Sequence, residues 1–258
     1  MSKRMLTDAE AMVLASVQVF LAKSKRPKPK GFGSGFTINY LKRRFFVSVS
    51  HVTDYNGLTT FLETNIPFDP KDGPILKPVG EICYFDLLNT NGVSTPDELE
   101  QILNKGKRKR LDISFAELKD ADVPLFQPET DFGQFKLPFC KKITLDMEHI
   151  SLPDQEEFYG FYGKIKPQYS GKTLMMTPTL KRPLSYHHST EDFHVFAAPE
   201  IIKSKKEYAG CSGAPILDSA HRLVAIACAI TPRSKWIYGF PIQKCKQLLD
   251  YALQTNLL

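Results

Sequence analysis

Short runs of β-branched and aromatic residues recur along the chain, and Gly, Pro and charged residues separate them. Many short strands with turn signals between them are typical of a β-sandwich or β-barrel. The pattern therefore predicts an all-β protein. The runs are Val13–Phe20, Gly35–Tyr40, Phe45–Val49, Glu81–Leu87, Phe158–Tyr162, Thr173–Thr177, His194–Ala197, Ala214–Leu217 and Leu223–Ile230.

Two segments have helical rather than strand periodicity. Thr95 with Glu98 three residues later has the spacing of a capping box, which predicts a short helix over Pro96–Leu103. Near the end of the sequence, apolar residues recur at a helical spacing that predicts an amphipathic helix packed against the protein body. These residues are Ile242, Cys245, Leu248, Leu249, Ala252 and Leu253.

One long apolar run, Ala11 to Ala22, lies near the start of the sequence. It is too short to span a bilayer. Asp8 and Glu10 precede it, where a signal peptide would carry basic residues. We therefore expect a strand here, no targeting segment and no membrane association.

The length and composition suit one large domain or two small ones packed together. The chain has 258 residues, of which 42% are hydrophobic and 24% charged, and this is enough to bury a sizeable core. A stretch rich in Pro, Asp and Gln between Pro124 and Pro138 separates two β-rich halves. It predicts a boundary between residues 1–125 and 126–258. Periodicity alone leaves open whether these are two barrels or one sandwich.

Five widely spaced cysteines occur without a Cys-x-x-Cys pair. Their spacing does not indicate a zinc or redox centre, and their odd number argues against a disulfide-stapled scaffold. A reducing compartment, and so the cytoplasm, is the simplest expectation. We predict no metal and no cofactor.

The segment Tyr208–Leu217 carries the clearest candidate chemistry. Gly210 and Gly213 closely flank Ser212, so the backbone can turn sharply and direct its N–H groups to one point. A serine at such a point can act as a nucleophile in acyl transfer. An ordinary Gly-rich hairpin with a surface serine would have the same sequence pattern.

This segment resembles the Gly-x-Ser-Gly-x-Pro motif of the trypsin-like (chymotrypsin-clan) serine peptidases, and its surroundings look most like the HtrA/Deg-type protease domain. Four further stretches match that group in order and together extend the resemblance from about Val13 to Tyr251. They are Gly33–Ile38, Phe46–Val52, Arg110–Leu118 and Gly239–Ile242. The resemblance implies two packed six-stranded β-barrels with a C-terminal helix, and serine endopeptidase activity on a protein or peptide substrate.

The resemblance assigns the catalytic roles. It implies that His51 is the general base, Asp112 the orienting carboxylate and Ser212 the nucleophile, in the chain order His, Asp, Ser. Its oxyanion hole falls on the backbone N–H groups of Gly210 and Ser212. Asp86 is an alternative to Asp112, because it occupies a similar apolar run.

The resemblance also implies where the substrate binds. A substrate strand would pair with Ala227, Cys228 and Ala229. Lys206 falls near the base of the pocket for the side chain before the scissile bond, which would favour acidic or polar side chains. A solvated turn around Lys206 is the alternative.

Two features complicate the assignment of the catalytic roles. Cys211 precedes Ser212, where digestive relatives carry an aspartate, so we expect no activation by N-terminal cleavage. Cys211 could itself be the nucleophile, although glycine follows the serine rather than the cysteine, and this register favours Ser212. His188 and His194 are the alternatives to His51 as base.

Two basic runs, Lys23–Lys30 and Lys105–Arg110, contribute much of the net charge of +6. They lack the interleaved aromatic residues that stack on bases, so solvated loops are the simpler interpretation and nucleic-acid binding is the weaker one. A further alternative is a trypsin-like binding module that is catalytically silent, or that a regulatory protein partner activates.

Overall fold

The computed structural model describes residues 5–23, 26–66, 76–88, 95, 97, 108–119, 124–171 and 173–258. Apart from Asp97, the predicted helix Pro96–Leu103 lies outside these residues, as does the first half of the basic run Lys105–Arg110. The described chain is mostly β, as predicted, and its strands form one curved sheet, one closed barrel and two small sheets of two strands each.

The first element is a helix, α1 (Asp8–Ala15), where the sequence pattern predicted only a strand. Thr7 caps it: its Oγ1 accepts a hydrogen bond from the N–H of Glu10, and the Glu10 carboxylate accepts one from the N–H of Thr7. This reciprocal pairing satisfies two donors of the first turn and fixes the helix start. The expected strand begins only at Ser16.

Strands of the N-terminal half form a curved sheet with the order β5-β4-β1-β2-β3-β7-β6, and β12 pairs in parallel with β2. Residues 79–82 join the two end strands, β5 and β6, so the ends of the sheet approach each other. The strands from the start of the chain to β12 are β1 (Ser16–Lys23), β2 (Arg26–Tyr40), β3 (Arg43–Ser48), β4 (Thr59–Glu63), β5 (Leu76–Pro78), β6 (Cys83–Leu88), β7 (Arg108–Glu117), β8 (Phe126–Gln127), β9 (Thr130–Asp131), β10 (Lys136–Leu137), β11 (Cys140–Lys141) and β12 (Leu145–Asp146).

The C-terminal half is a closed barrel of six strands in the order β13-β14-β15-β18-β17-β16. The final helix, α3, spans Ile242–Gln254, and between β3 and β4 lies a single-turn helix, α2 (Ser50–Thr53). The barrel strands are β13 (Phe158–Ser170), β14 (Thr173–Ser189), β15 (His194–Ile202), β16 (Pro215–Asp218), β17 (Leu223–Ile230) and β18 (Ser234–Pro241).

The helix predicted at the end of the sequence is confirmed. Its buried residues Ile242, Cys245, Leu249 and Ala252 fall on one face, which packs into the larger of two main apolar clusters. That cluster combines residues of both halves, and the smaller one fills the C-terminal barrel. The candidate site residues therefore rest on a shared core. Among the described residues, no helix has the length and apolar character needed to cross a bilayer.

Candidate active site

The turn of helix α2 presents His51 at the end of strand β3. Val52 packs against Gly33, where a Cβ would lie 2.3 Å from the valine side chain. Thr53 Oγ1 donates to Ser114 Oγ of β7 at 3.0 Å. These contacts fix the turn to strands β2 and β7, so the His51 side chain is placed by buried neighbours while remaining half exposed itself.

His51 pairs with Asp112. Its Nδ1 lies 2.9 Å from each carboxylate oxygen of Asp112, and Asp112 Oδ1 also accepts from the His51 N–H and the Ser50 hydroxyl. Burial of the Asp112 carboxyl raises its pKa, but these hydrogen bonds and the charge of His51 outweigh burial and lower the pKa below its usual value. Asp112 is therefore held ionised beside the imidazole.

The alternative acid, Asp86, has a different partner. It forms an ion pair with Arg110, whose guanidinium also donates to Asp54 Oδ2 at 2.7 Å. Arg110 precedes Asp112 by two residues on β7, where the register with β6 shifts between Tyr84 and Asp86. No sequence motif indicated this ion-pair network, because Asp54, Asp86 and Arg110 lie in separate segments.

Ser212 lies in a turn that requires glycine on both sides. Gly210 and Gly213 have φ values of +110° and +90°, which are strained for L side chains. A Cβ on Gly213 would lie 2.0 Å from the carbonyl oxygen of Ser34. Ser34 holds the turn from the other half of the protein: its N–H donates to the Ser212 carbonyl at 2.8 Å and its hydroxyl to the Gly210 carbonyl at 2.7 Å.

Two backbone donors of this turn have no partner within the described residues. The N–H groups of Cys211 and Gly213 donate to carbonyl oxygens. The N–H groups of Gly210 and Ser212, which are the predicted oxyanion donors, donate to no carbonyl of the described residues. The Ser212 hydroxyl donates to the carbonyl of Cys228 at 3.3 Å. In this conformation its proton is directed to β17 and not to His51.

A cavity of about 440 Å³ brings most of the predicted residues together. His51, Asp112 and Ser212 line it, and so does the segment Ala227–Ala229 of β17. Lys206 does not: it is exposed, and its neighbour Lys205 lines the cavity instead. In the short 3₁₀ turn Lys205–Glu207, successive side chains point in different directions. The sequence alone did not show which lysine of this turn faces the cavity.

Cys211 is placed differently from Ser212. Its side chain is 2% exposed and packs against Gly163 within the core of the C-terminal barrel. Burial raises the pKa of its thiol to about 12. A thiol in this environment stays protonated near neutral pH and is a poor nucleophile.

The alternative bases lie elsewhere. His188 and His194 belong to strands β14 and β15 and do not line the cavity. His194 Nδ1 is 2.6 Å from Ser189 Oγ. In the described part of the chain no group of three or more His, Cys, Asp or Glu side chains could hold a metal ion.

Comparisons with known proteins identify the fold. No protein-family model and no curated protein matches the sequence. Among solved structures, the serine endoprotease from Yersinia pestis gives a TM-score of 0.51 at 12% identity, with 97% of this chain and 68% of that chain covered. Human heparin binding protein gives 0.49 at 10% identity, covering 97% and 95%. The tobacco vein mottling virus protease gives 0.46 at 10% identity, covering 93% and 83%.

At sequence identities of 10–12%, these similarities concern the fold alone. The predicted fold class is confirmed: the protein is all-β, of the trypsin-like type, with a C-terminal helix. The boundary predicted between residues 125 and 126 stays a prediction.

Proposed function

We propose that this protein is a serine endopeptidase that cleaves peptide bonds through an acyl-enzyme. In this proposal Ser212 attacks the scissile carbonyl, His51 takes the proton of its hydroxyl, and Asp112 orients the imidazole. The N–H groups of Gly210 and Ser212 stabilise the oxyanion. This is the division of labour that acyl transfer to a hydroxyl requires.

The observation that carries the proposal is the pairing of His51 with Asp112 beside Ser212. With Nδ1 2.9 Å from both carboxylate oxygens, the proton of a neutral imidazole belongs on Nδ1. Nε2 is then free to accept a proton from the serine hydroxyl. The lowered pKa of Asp112 keeps the carboxylate charged and so stabilises the imidazolium that forms.

The burial of Cys211 supports serine as the nucleophile. Ser212 is partly exposed to the cavity, whereas the Cys211 thiol packs in the barrel core with a pKa of about 12. A thiolate forms readily only where the environment is polar or positively charged. The cysteine therefore acts as a small apolar side chain that anchors the turn.

Strand β17 offers a template for an extended substrate. The last residue of β17 that pairs with β16 is Ile226, opposite Pro215, yet β17 continues to Ile230. Ala227 is already bonded on the edge toward the cavity: its N–H donates to the Ala214 carbonyl at 2.9 Å, and its carbonyl accepts from the Gly213 N–H at 2.7 Å. Beyond Ala227 this edge lacks a strand partner within the described residues. Cys228 and Ala229 can therefore pair with a peptide backbone, and this binding would position the scissile bond over Ser212.

One contact favours the alternative of a module that is silent until a substrate or partner binds. The Ser212 hydroxyl donates to the Cys228 carbonyl, so it must rotate before His51 can accept its proton. A peptide that pairs with Cys228 would compete for that carbonyl and release the hydroxyl. Nucleic-acid binding, an HtrA/Deg-type relationship and a cytoplasmic location stay predictions from the sequence.

Cleavage of an unfolded protein tests the proposal. Reduced, alkylated casein is incubated with the wild type, Ser212→Ala and Cys211→Ala, and new termini are read by mass spectrometry. We expect cleavage by the wild type and Cys211→Ala and none by Ser212→Ala. Cleavage that persists in Ser212→Ala contradicts Ser212 as the nucleophile, and its absence from the wild type contradicts constitutive peptidase activity.

A further inference from the structure

We infer that the cavity beside Ser212 selects peptides with a large apolar side chain immediately before the scissile bond. This inference rests on the proposed function and names its substrate class. It differs from the sequence-based expectation for Lys206, which favoured acidic or polar side chains.

The walls away from Ser212 are apolar. Phe161 of β13 and Ile237 of β18 are each 1% exposed in the structure as a whole, and both line the cavity with half-buried Tyr208 and Ile230. The ring of Tyr208 lies 6.3 Å from that of Phe161. Burial raises the pKa of Tyr208 to about 12, so its phenol is neutral at physiological pH. The cavity thus offers an aromatic and aliphatic surface next to the reacting serine.

Charged groups are scarce on this surface. Of the described residues, those that line the cavity include three titratable charges: His51 and Asp112, which pair with each other, and Lys205. Lys205 is exposed, so water screens its charge. Lys181, whose ammonium lies 4.3 Å from the Tyr208 ring, does not line the cavity.

These walls discriminate by desolvation. A lysine or arginine side chain would lose its hydration without a carboxylate to pair with, which is strongly unfavourable. An aspartate would meet only the exposed Lys205, and exposed ion pairs contribute little. A phenylalanine or leucine side chain gains free energy for all the apolar area it buries. The chemistry of the cavity therefore favours large apolar side chains.

Competition for labelling tests the inference without requiring turnover. Four peptide aldehydes with the stem acetyl-Ala-Ala-Pro and a final Phe, Leu, Lys or Asp are compared for their ability to slow fluorophosphonate labelling of the wild type. We expect the Phe and Leu aldehydes to protect at concentrations at least about tenfold lower than the Lys and Asp aldehydes. Equal or better protection by Lys or Asp overturns the inference, and so does protection by none of the four.

Two matched pairs of variants sharpen the test. Lys205→Ala and Lys206→Ala should both keep the order of the four aldehydes; a marked fall in protection by the Asp aldehyde in only one of them would show that this lysine pairs with the substrate side chain and would contradict the inference. Ile237→Val removes one methylene from the wall and should weaken protection by the Phe aldehyde about three- to fourfold. Ile216→Val, in the same core but away from the cavity, should leave protection unchanged.

The labelling also separates this inference from the proposed function. A wild type that fluorophosphonate does not label contradicts the proposed nucleophile. A wild type that is labelled through Ser212 but prefers a charged aldehyde contradicts only the apolar selectivity.

Discussion

Gly210 and Gly213 show how single residues determine the site. Both require positive φ, and a Cβ on either would approach a carbonyl oxygen: Lys164 O at 2.2 Å for Gly210, and Ser34 O at 2.0 Å for Gly213. The backbone conformation therefore requires the two glycines that flank Ser212, and this requirement is visible in the local sequence motif. The partner of the turn, Ser34, comes from a distant segment, and its contact could not be read from spacing.

Substitution of Gly210 should damage the site more than substitution of another positive-φ glycine. Gly210→Ala forces the backbone away from Lys164 and displaces an oxyanion donor, so we expect the fluorophosphonate labelling rate to fall about 10²- to 10³-fold. Gly57 has φ +73° and open space around its Cα. Gly57→Ala should lose about 1 kcal/mol of stability with an unchanged labelling rate. Equal labelling rates in both variants would refute the role of Gly210.

The two candidate acids should differ sharply in their effects. Asp112→Asn removes the charge that orients His51, and the labelling rate should fall about 10⁴-fold. Asp86 pairs with Arg110, so Asp86→Asn should change the rate by less than about tenfold. Stopped-flow or gel-based labelling kinetics measure both. A larger loss in Asp86→Asn than in Asp112→Asn would reverse the assignment.

At the scale of elements, apolar pattern was a good guide where a strand is regular and buried. Strand β17 matches its predicted range of Leu223–Ile230, and α3 begins at Ile242 as its periodicity indicated. The pattern failed at α1, where every residue from Ala9 to Ala15 is buried, so the helix lacks the alternation of buried and exposed positions that separates helix from strand. The capping sequence Thr7 to Glu10 was the available signal.

Arg110 illustrates an element contact that sequence reasoning missed. It joins Asp54, next to helix α2, to Asp86 of β6 and lies 4.9 Å from the Tyr84 ring. Because α2 carries His51, this ion-pair network stabilises the position of the candidate base relative to Asp112. Arg110 is therefore a positioning residue in our account, and it contacts no reacting atom.

Loss of Arg110 should slow catalysis without weakening substrate binding. For Arg110→Gln we expect kcat on a Phe-containing peptide to fall about ten- to a hundredfold, with KM within about twofold of the wild type. Lys109→Gln is the matched control, because Lys109 pairs with Asp192 on the exposed surface and should leave both constants unchanged. A normal kcat in Arg110→Gln would remove the positioning role.

At the scale of the whole molecule, buried polar contacts join the two halves. Lys164 of β13 forms an ion pair with Glu63 of β4. Nearby, Lys142 donates from Nζ to the Val13 carbonyl at 2.7 Å and to Gln127 Oε1 at 2.6 Å. Leu174 of the long β13–β14 hairpin also packs on the outer face of the N-terminal sheet. Composition predicted two halves, but only the fold reveals how they are joined.

Lys142 makes stability depend on pH. Burial of its ammonium, with repulsion from Lys164, lowers its pKa from 10.5 to about 7, and Glu63 opposes this shift. Between these values the unfolded chain binds more protons than the folded protein, so stability rises with pH. Relative to Lys142→Met, the wild type should gain about 2 kcal/mol in unfolding free energy from pH 7 to pH 9.

Denaturant titrations at both pH values measure this gain, and Lys141→Met provides the control. Lys141 is exposed, so its variant should keep the pH dependence of the wild type. If Lys142→Met keeps that dependence as well, burial of the Lys142 charge is not its source.

The most direct test of the whole account is to locate the fluorophosphonate adduct in the native wild-type protein. The labelled protein is digested, and tandem mass spectrometry assigns the modified residue within the peptide that contains Tyr208–Leu217. We predict one adduct, on Ser212, that does not form on denatured protein because Ser212 is then separated from His51 and Asp112. An adduct on Cys211 or on any other residue, or no adduct at all, would contradict the assignment of Ser212 as the nucleophile.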